Sequence, residues 1–490
     1  MPAAVALAAA ASLSRPRILD RTTRWLDALL LIAIASAALQ LAPLPDSWRA
    51  AVSPHAAIVE GVLRFDARTV TRRPISLDPA ATARSLGLFA MVLAAFWTAR
   101  KAFSRGGIRP VVRAVGWAGL VISVLAIAVR HAAPGLLYGL WRPDASGIKP
   151  YGPFVNRNHM ATWLLLALPL TIGYLVARVA RRGSVTAALD ASIVWTAGAA
   201  GAMFAALVVS LSRSAAIGAA AGATCGALIA LARHGRRSRG WLALAVLLGL
   251  AIAASMPMSS QLLSRFDNAK GDTNKRLQIW RETVPIVRDF PLTGVGLGAY
   301  GMAMVVYQRS DRAFFFNDAH DEYLQWAAEG GLLVGVPLML AAIAATIGIA
   351  RRLRNDESAG FWIRAGAVAS LTAVAVQSVW ETGLEIPANA LLFAVVAAVA
   401  VHETHPTGRR EASAPAPSRR AHRASIGGSS EGDAAQTHES RATAPGLLWC
   451  RRPAEAGDAR GERARQPASA LNSTLRAGGW LKSARIKCRC

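Results

Sequence analysis

Cysteine is nearly absent: four occur in 490 residues, at positions 225, 450, 488 and 490. None falls in a stretch that the topology below exports, so no disulfide framework is implied. Cys225 lies inside an apolar run and reads as a small packing residue. Cys488-Arg-Cys490 lacks the paired ligands of a zinc site. No cleavable leader is expected either, because the Ala-rich stretch Ala3–Ala11 is short and basic residues follow it instead of preceding it. Acidic residues are scarce, 29 Asp and Glu against 55 Lys and Arg, for a net charge of +26. Such an excess first suggests a nucleic-acid partner. Its distribution argues against one, since the arginines sit mainly in short stretches between apolar runs, which is a signature of membrane topology. No nucleic acid is expected as a partner.

What the chain has in abundance is apolar sequence. Hydrophobic residues make up 53% of it, and the long runs recur from Leu26 to Val401. Each is close to the length needed to cross about 30 Å of hydrocarbon. A helix on the surface of a soluble protein would alternate polar and apolar faces instead. Spans are expected at 25–43, 84–99, 112–129, 160–177, 189–209, 214–232, 241–256, 332–350, 364–380 and 388–402. Backbone polar groups in lipid must pair within their own segment, so these runs must be helices. The expected fold is an all-α polytopic membrane protein.

Charge then orients the bundle. Basic clusters at Arg15/Arg17/Arg21/Arg24, Arg100/Lys101/Arg105/Arg109/Arg113, Arg178/Arg181/Arg182, Arg233/Arg236/Arg237/Arg239 and Arg351/Arg352/Arg354 all fall on one side, as does the basic tail. The positive-inside rule makes that side cytoplasmic and places both termini there. One loop dissents: residues 44–83 are exported yet carry Arg64, Arg68, Arg72 and Arg73. The expected organisation is a cytoplasmic N-terminus (1–24), a transmembrane bundle (25–256), a large periplasmic loop (257–331), further spans (332–402) and a disordered basic cytoplasmic tail (403–490). The tail has no hydrophobic periodicity and is rich in Arg, Ala, Ser, Gly and Pro. The large loop should be folded: Thr273–Asp289 reads as an amphipathic helix, Gly294–Gly298 as a turn cluster and Asp318–Gly330 as a second helix.

Four segments could carry chemistry. Asn156-Arg-Asn-His159 sits at the entry to the fourth span, where free N–H groups and the helix dipole suit a phosphate. The plainer reading is a helix cap with an interfacial arginine. Arg213 lies in a short exported turn between two apolar runs. A cation there is costly unless it snorkels or binds something. Arg276 and Arg281 lie five residues apart in the loop helix, so one can face a ligand while the other stays solvated. The glycines that follow do not link a strand to a helix, which excludes a dinucleotide fingerprint. Last comes Asp318-Ala-His320-Asp-Glu, with Glu329 further on. Histidine exchanges protons near neutral pH. The cluster offers no second histidine, so no metal is assigned.

These four segments, in this order, resemble the O-antigen ligase family, the WaaL-like membrane glycosyltransferases and their polymerase relatives. The likeness rests on Asn156–His159, Ser212-Arg213, the Arg…Trp…Pro-Leu-x-Gly-x-Gly stretch ending at Gly296, and the run from His320 to Gly330. It is strongest over 150–335. The resemblance implies a GT-C-like helical bundle of about ten to twelve transmembrane helices with a large helical periplasmic loop. It implies a multi-pass protein of the bacterial inner membrane, with membrane lipid around it, that moves a glycan from an undecaprenyl-diphosphate donor to a glycan, lipid or protein acceptor. It further implies catalytic roles for His320, Arg213 and Arg276, substrate contacts from Arg281, Asn156, Arg157, Asn158, His159 and Glu329, and no cofactor. Two features depart from the family: about ten spans where nearer twelve are common, and Asp321 where many members have Asn.

The chemistry fits these residues. Two guanidiniums can neutralise a departing diphosphate without a metal, and a neutral His320 can take the acceptor proton. A polymerase of lipid-linked repeat units would use the same groups on a different acceptor. A transporter or lipid flippase would instead call for mid-membrane charges and paired broken helices, and the spans carry few such charges.

Overall fold

The computed structural model describes residues 16, 18–63, 72–137, 140–142, 150–182, 190–234, 276–310, 312 and 315–403. All belong to the first of the two units into which the chain divides, residues 1–405 with 486–490. The tail, the run 241–256 and residues 257–275 lie outside the described residues. Each of the nine other expected spans falls on a helix, with the expected 25–43 running past the helix end at Leu39 into the strand that starts at Pro43.

The helices follow in chain order. They are α1 (Arg24–Leu39), α2 (Asp46–Val52), α3 (Ala56–Leu63), α4 (Pro79–Gly106), α5 (Arg109–Ala132), α6 (Arg157–Arg182), α7 (Ala191–Ser210) and α8 (Arg213–His234). After them come α9 (276–289), α10 (Tyr300–Tyr307), α11 (Glu322–Asn355), α12 (Gly360–Gln377) and α13 (Pro387–Ala400). A two-stranded ribbon, β1 (Pro43–Pro45) antiparallel to β2 (Arg72–Pro74), is the small exception to an all-α architecture. Among the described residues six helices, α4 to α8 and α11, are long and apolar enough to cross a membrane. Their ends carry ordinary signals. Asp78 caps α4 by accepting from the Ala81 N–H, with Pro79 at its first position, and Gly107 at φ 72° ends it.

Helix α6 is the axis of the bundle. Its apolar window is 78% buried, against 11% for α11, which packs on α1 at the periphery. Small residues let the helices around α6 approach closely. A Cβ at Gly173 of α6 would lie 2.4 Å from the Trp362 carbonyl, and one at Gly222 of α8 would lie 2.6 Å from the Ala369 carbonyl of α12. Between lipid-embedded helices, where no hydrophobic drive separates protein from solvent, such backbone contact supplies the packing energy.

A second layer covers the end at which α6, α8, α11 and α13 begin. It combines the described part of the large loop with the first loop, which sequence reading treated separately. Ala56 and Val59 of α3 share a core with Ile286, Phe290, Val295, Tyr300 and Met304. Gln40, fully buried at the end of α1, ties the two together. Its amide donates to the carbonyls of Thr293 and Glu329, each at 2.8 Å, and accepts from the Leu297 N–H at 3.1 Å. One of the dissenting arginines of the first loop finds a partner here: Glu60 pairs with Arg73, and also with Arg49 of α2.

The glycine turn locks against α11. Gly294, Gly296 and Gly298 all have positive φ. A Cβ at Gly296 would collide with Ser76 at 2.3 Å, so both the backbone and the space demand glycine. Gly331 (φ 54°, ψ −159°) breaks α11 where it touches this turn. Residues Glu322–Gly330 therefore belong to the covering layer, and the membrane-length part of α11 begins beyond the kink.

Candidate functional site

The covering layer gathers several helix N-termini. Asn156 opens α6 by accepting the Asn158 N–H on its Oδ1 at 2.9 Å, while its carbonyl takes the N–H groups of His159 and Met160. Asp321 opens α11, accepting from Tyr323 and Leu324 at 2.9 and 3.0 Å. Asn performs this capping role as well as Asp does, so the departure from the family pattern at 321 leaves the local structure intact. Leu211, in the left-handed region at φ 52°, turns α7 into Ser212 and the first residue of α8, Arg213.

A three-residue junction joins these starts. Glu381 Oε1 accepts from Arg276 Nη2 at 2.7 Å and from Asn158 Nδ2 at 2.6 Å. Arg276 Nη1 also donates to the Trp380 carbonyl at 2.8 Å. The carboxylate is buried, with 2% of its side chain exposed, whereas Arg276 keeps 28%. His159 follows Asn158 directly in the first turn of α6. Its carbonyl accepts from Asn389 at 3.0 Å. Asn156, Arg157, Asn158, His159, Arg276 and His320 thus lie at one end of the bundle. Arg213 joins them by register: α8 and α12 run antiparallel, Gly218 opposite Ala373 and Gln377, and Gly222 opposite Ala369 and Ala373. That register sets the first turn of α8 toward Trp380 and Glu381.

The loop bearing His320 is fixed from both sides. The Ala319 carbonyl accepts the Trp280 indole N–H at 3.0 Å, and its N–H donates to Gln325 Oε1 at 2.8 Å. The Glu322 N–H bonds the Ser378 carbonyl at 2.9 Å. Between these anchors His320 is half-buried at φ 52°. A non-glycine residue held in this region persists only where its surroundings over-determine it, and such residues concentrate at functional sites.

Two predicted residues stand apart. Arg281 is exposed on α9. Glu329 is buried, and its carboxylate serves the glycine turn, accepting from the N–H groups of Gly298 at 2.7 Å and Tyr300 at 3.3 Å. Burial raises Glu322 and Glu329 to about 7, against the hydrogen bonds that each accepts. Glu385 is also raised, by enclosure among protein atoms and by repulsion from Asp318, Glu329 and Glu322, although the residue keeps an open surface. Its Oε1 takes the Gln325 amide. Among the described residues no group of three or more His, Cys, Asp or Glu is arranged to hold a metal ion.

Sequence reading did not single out Glu381, Glu385 or Asn389. One signal was available: two glutamates in a short turn between apolar runs are as costly there as Arg213 is.

No curated protein matches the chain. Residues 198–339 match the family model described as O-antigen ligase. The matched stretch contains Arg213, Arg276, Arg281, His320 and Glu329, while Asn156–His159 and Glu381 lie outside it. Family members of this kind are membrane ligases and polymerases of lipid-linked glycans, with a lipid-linked glycan and an acceptor as partners. The chain is thus a polytopic, essentially all-α membrane protein whose residues 198–339 are similar to the O-antigen ligase family.

Proposed function

We propose that the protein transfers a glycan from an undecaprenyl-diphosphate donor to an acceptor hydroxyl at the periplasmic face of the bacterial inner membrane, as an O-antigen ligase does. The observation that carries this reading is the junction of Arg276, Glu381 and Asn158, with His159 next to Asn158 and the loop of His320 tied to the end of α12 through the Glu322–Ser378 bond, at the end of the bundle where α6, α8 and α11 begin. Helix N-termini and arginines at one membrane boundary suit a lipid diphosphate.

In the reaction the acceptor oxygen attacks the anomeric carbon. The bond from that carbon to the phosphate oxygen breaks, and its electron pair leaves with the diphosphate. Arg213 and Arg276 stabilise the charge that develops there, and Asn156–His159 contribute polar contacts at the start of α6. Arg281, exposed one turn along, meets the more distant parts of the donor. The acceptor proton passes to the neutral imidazole of His320 and from there to water. A single displacement inverts the anomeric centre, and no metal takes part. The lipid tail stays among the helices, so the active site belongs at the membrane boundary.

The test is transfer by the purified protein in liposomes, supplied with an undecaprenyl-diphosphate glycan and either a lipid acceptor or a second lipid-linked glycan. Transfer to the first marks a ligase and elongation of the second a polymerase. Absence of both products, or activity that a chelator abolishes and a divalent cation restores, overturns the reading. Reporter fusions at Gly271 and Gly408 test the orientation, and a cytoplasmic signal at Gly271 reverses it.

A further inference from the structure

Glu381 is an anion in a place where an anion is expected to bind, and its position decides what it does. A carboxylate that competed with the diphosphate would stand in front of Arg276, on the open side. Glu381 stands behind it, with 2% of its side chain exposed against 28% for the guanidinium. A single oxygen, Oε1, takes both the Arg276 and the Asn158 donors, at 2.7 and 2.6 Å. The Trp380 carbonyl takes the other terminal nitrogen of Arg276 at 2.8 Å. One edge of the guanidinium is therefore clamped to the turn after α12, and the group carries further N–H donors beyond these two bonds. The same oxygen fixes the Asn158 amide at the start of α6. Arginine side chains are long and lose much rotamer freedom when ordered. A clamp formed before the ligand arrives removes that cost from binding.

We propose that Glu381 is a positioning residue for the diphosphate: from behind, it orients Arg276 and Asn158 so that both present to one phosphate group. This rests on the functional reading above. The first turn of α13 supports the site from the other side, where Asn389, fully buried, donates to the His159 carbonyl at 3.0 Å and to the Gly383 carbonyl at 2.8 Å. The short connection between α12 and α13 and the start of α13 thus both brace residues of the site.

The experiment measures binding of undecaprenyl diphosphate, without sugar, to the full-length protein in nanodiscs, alongside donor KM and kcat. Glu381→Gln keeps the size and an acceptor oxygen but removes the charge that holds the guanidinium. The expected result is about tenfold weaker binding of the probe and a kcat/KM lowered at least as much, shared between a raised KM and a lowered kcat because Arg276 meets the diphosphate in the ground state and in the transition state. In an Arg276→Ala background the effect of Glu381→Gln should shrink to less than about threefold, because only its hold on Asn158 remains. Glu381→Asp keeps the charge on a shorter stem and serves where the amide variant does not fold; it should weaken binding by less than Arg276→Ala does. Unchanged or tighter binding in Glu381→Gln, with a well-behaved wild type, overturns the proposal and leaves the functional reading standing. Independent, additive losses from Glu381→Gln and Arg276→Ala also overturn it. A wild type that neither binds the probe nor transfers glycan overturns both.

Discussion

Replacing His320 by Asn separates the chemistry of the side chain from the conformation of its backbone. His320 sits at φ 52° between two anchored residues. The left-handed region costs an ordinary residue about 1–2 kcal/mol. Asn tolerates it better than most, and Gly occupies it freely. Glycine then gives back about 0.5–1 kcal/mol through its greater freedom in the unfolded chain. His320→Asn and His320→Gly should therefore both fold, with stabilities within about 1 kcal/mol of the wild type, and melting in detergent would show it. Transfer should behave differently. A positioned general base contributes about 10²–10⁴ in rate, or roughly 3–5 kcal/mol of barrier. The loss should appear in kcat, with donor binding nearly unchanged, because the interaction belongs to the transition state. His159→Ala, at the start of α6, should cost less. Near-normal kcat in His320→Asn would refute the assignment and leave His320 as a turn residue.

Three further outcomes are expected. Arg213→Ala and Arg276→Ala should each lower transfer at matched expression at least tenfold more than Arg351→Ala, which alters an exposed residue in the cluster at the far end of α11; equal activity in all three removes the diphosphate clamp. Glu322 and Glu329 are raised to about 7 and so favour the neutral carboxyl. Their contribution is complete below the ordinary glutamate range and is lost as pH climbs through about 7, so melting temperature should fall between pH 5 and pH 8 and Glu329→Gln should flatten that fall. Gly331→Ala should destabilise by at least about 2 kcal/mol, because a Cβ there meets the Gly294 nitrogen at 2.5 Å at a positive φ; a wild-type melting curve would show that the kink relaxes.

The spans were legible because lipid leaves the backbone one solution. A long apolar run must be helical, and length and hydropathy alone placed nine of the runs that the structure describes as helices. The turn glycines and the caps at Asn156 and Asp321 were legible for a similar local reason: each effect spans only a few residues. The covering layer was not, since its cohesion runs between segments far apart in the chain. Gln40 binds carbonyls 253 and 289 residues away, and Glu381 meets Arg276 across 105. No periodicity records such a pairing. Arg276 drew notice as a cation on an exported helix, yet nothing near it in sequence says that a buried carboxylate stands behind it. Glu329 shows the converse gap between sequence and structure. Its place in a motif suggested a ligand contact, but the carboxylate is occupied by the N–H groups of Gly298 and Tyr300. The turn needs positive φ at three glycines, which leaves its N–H groups pointing inward, and a buried donor must find an acceptor. A glutamate next to a glycine-rich turn can thus persist for the fold alone, and only the partner of each oxygen separates that role from a part in the reaction.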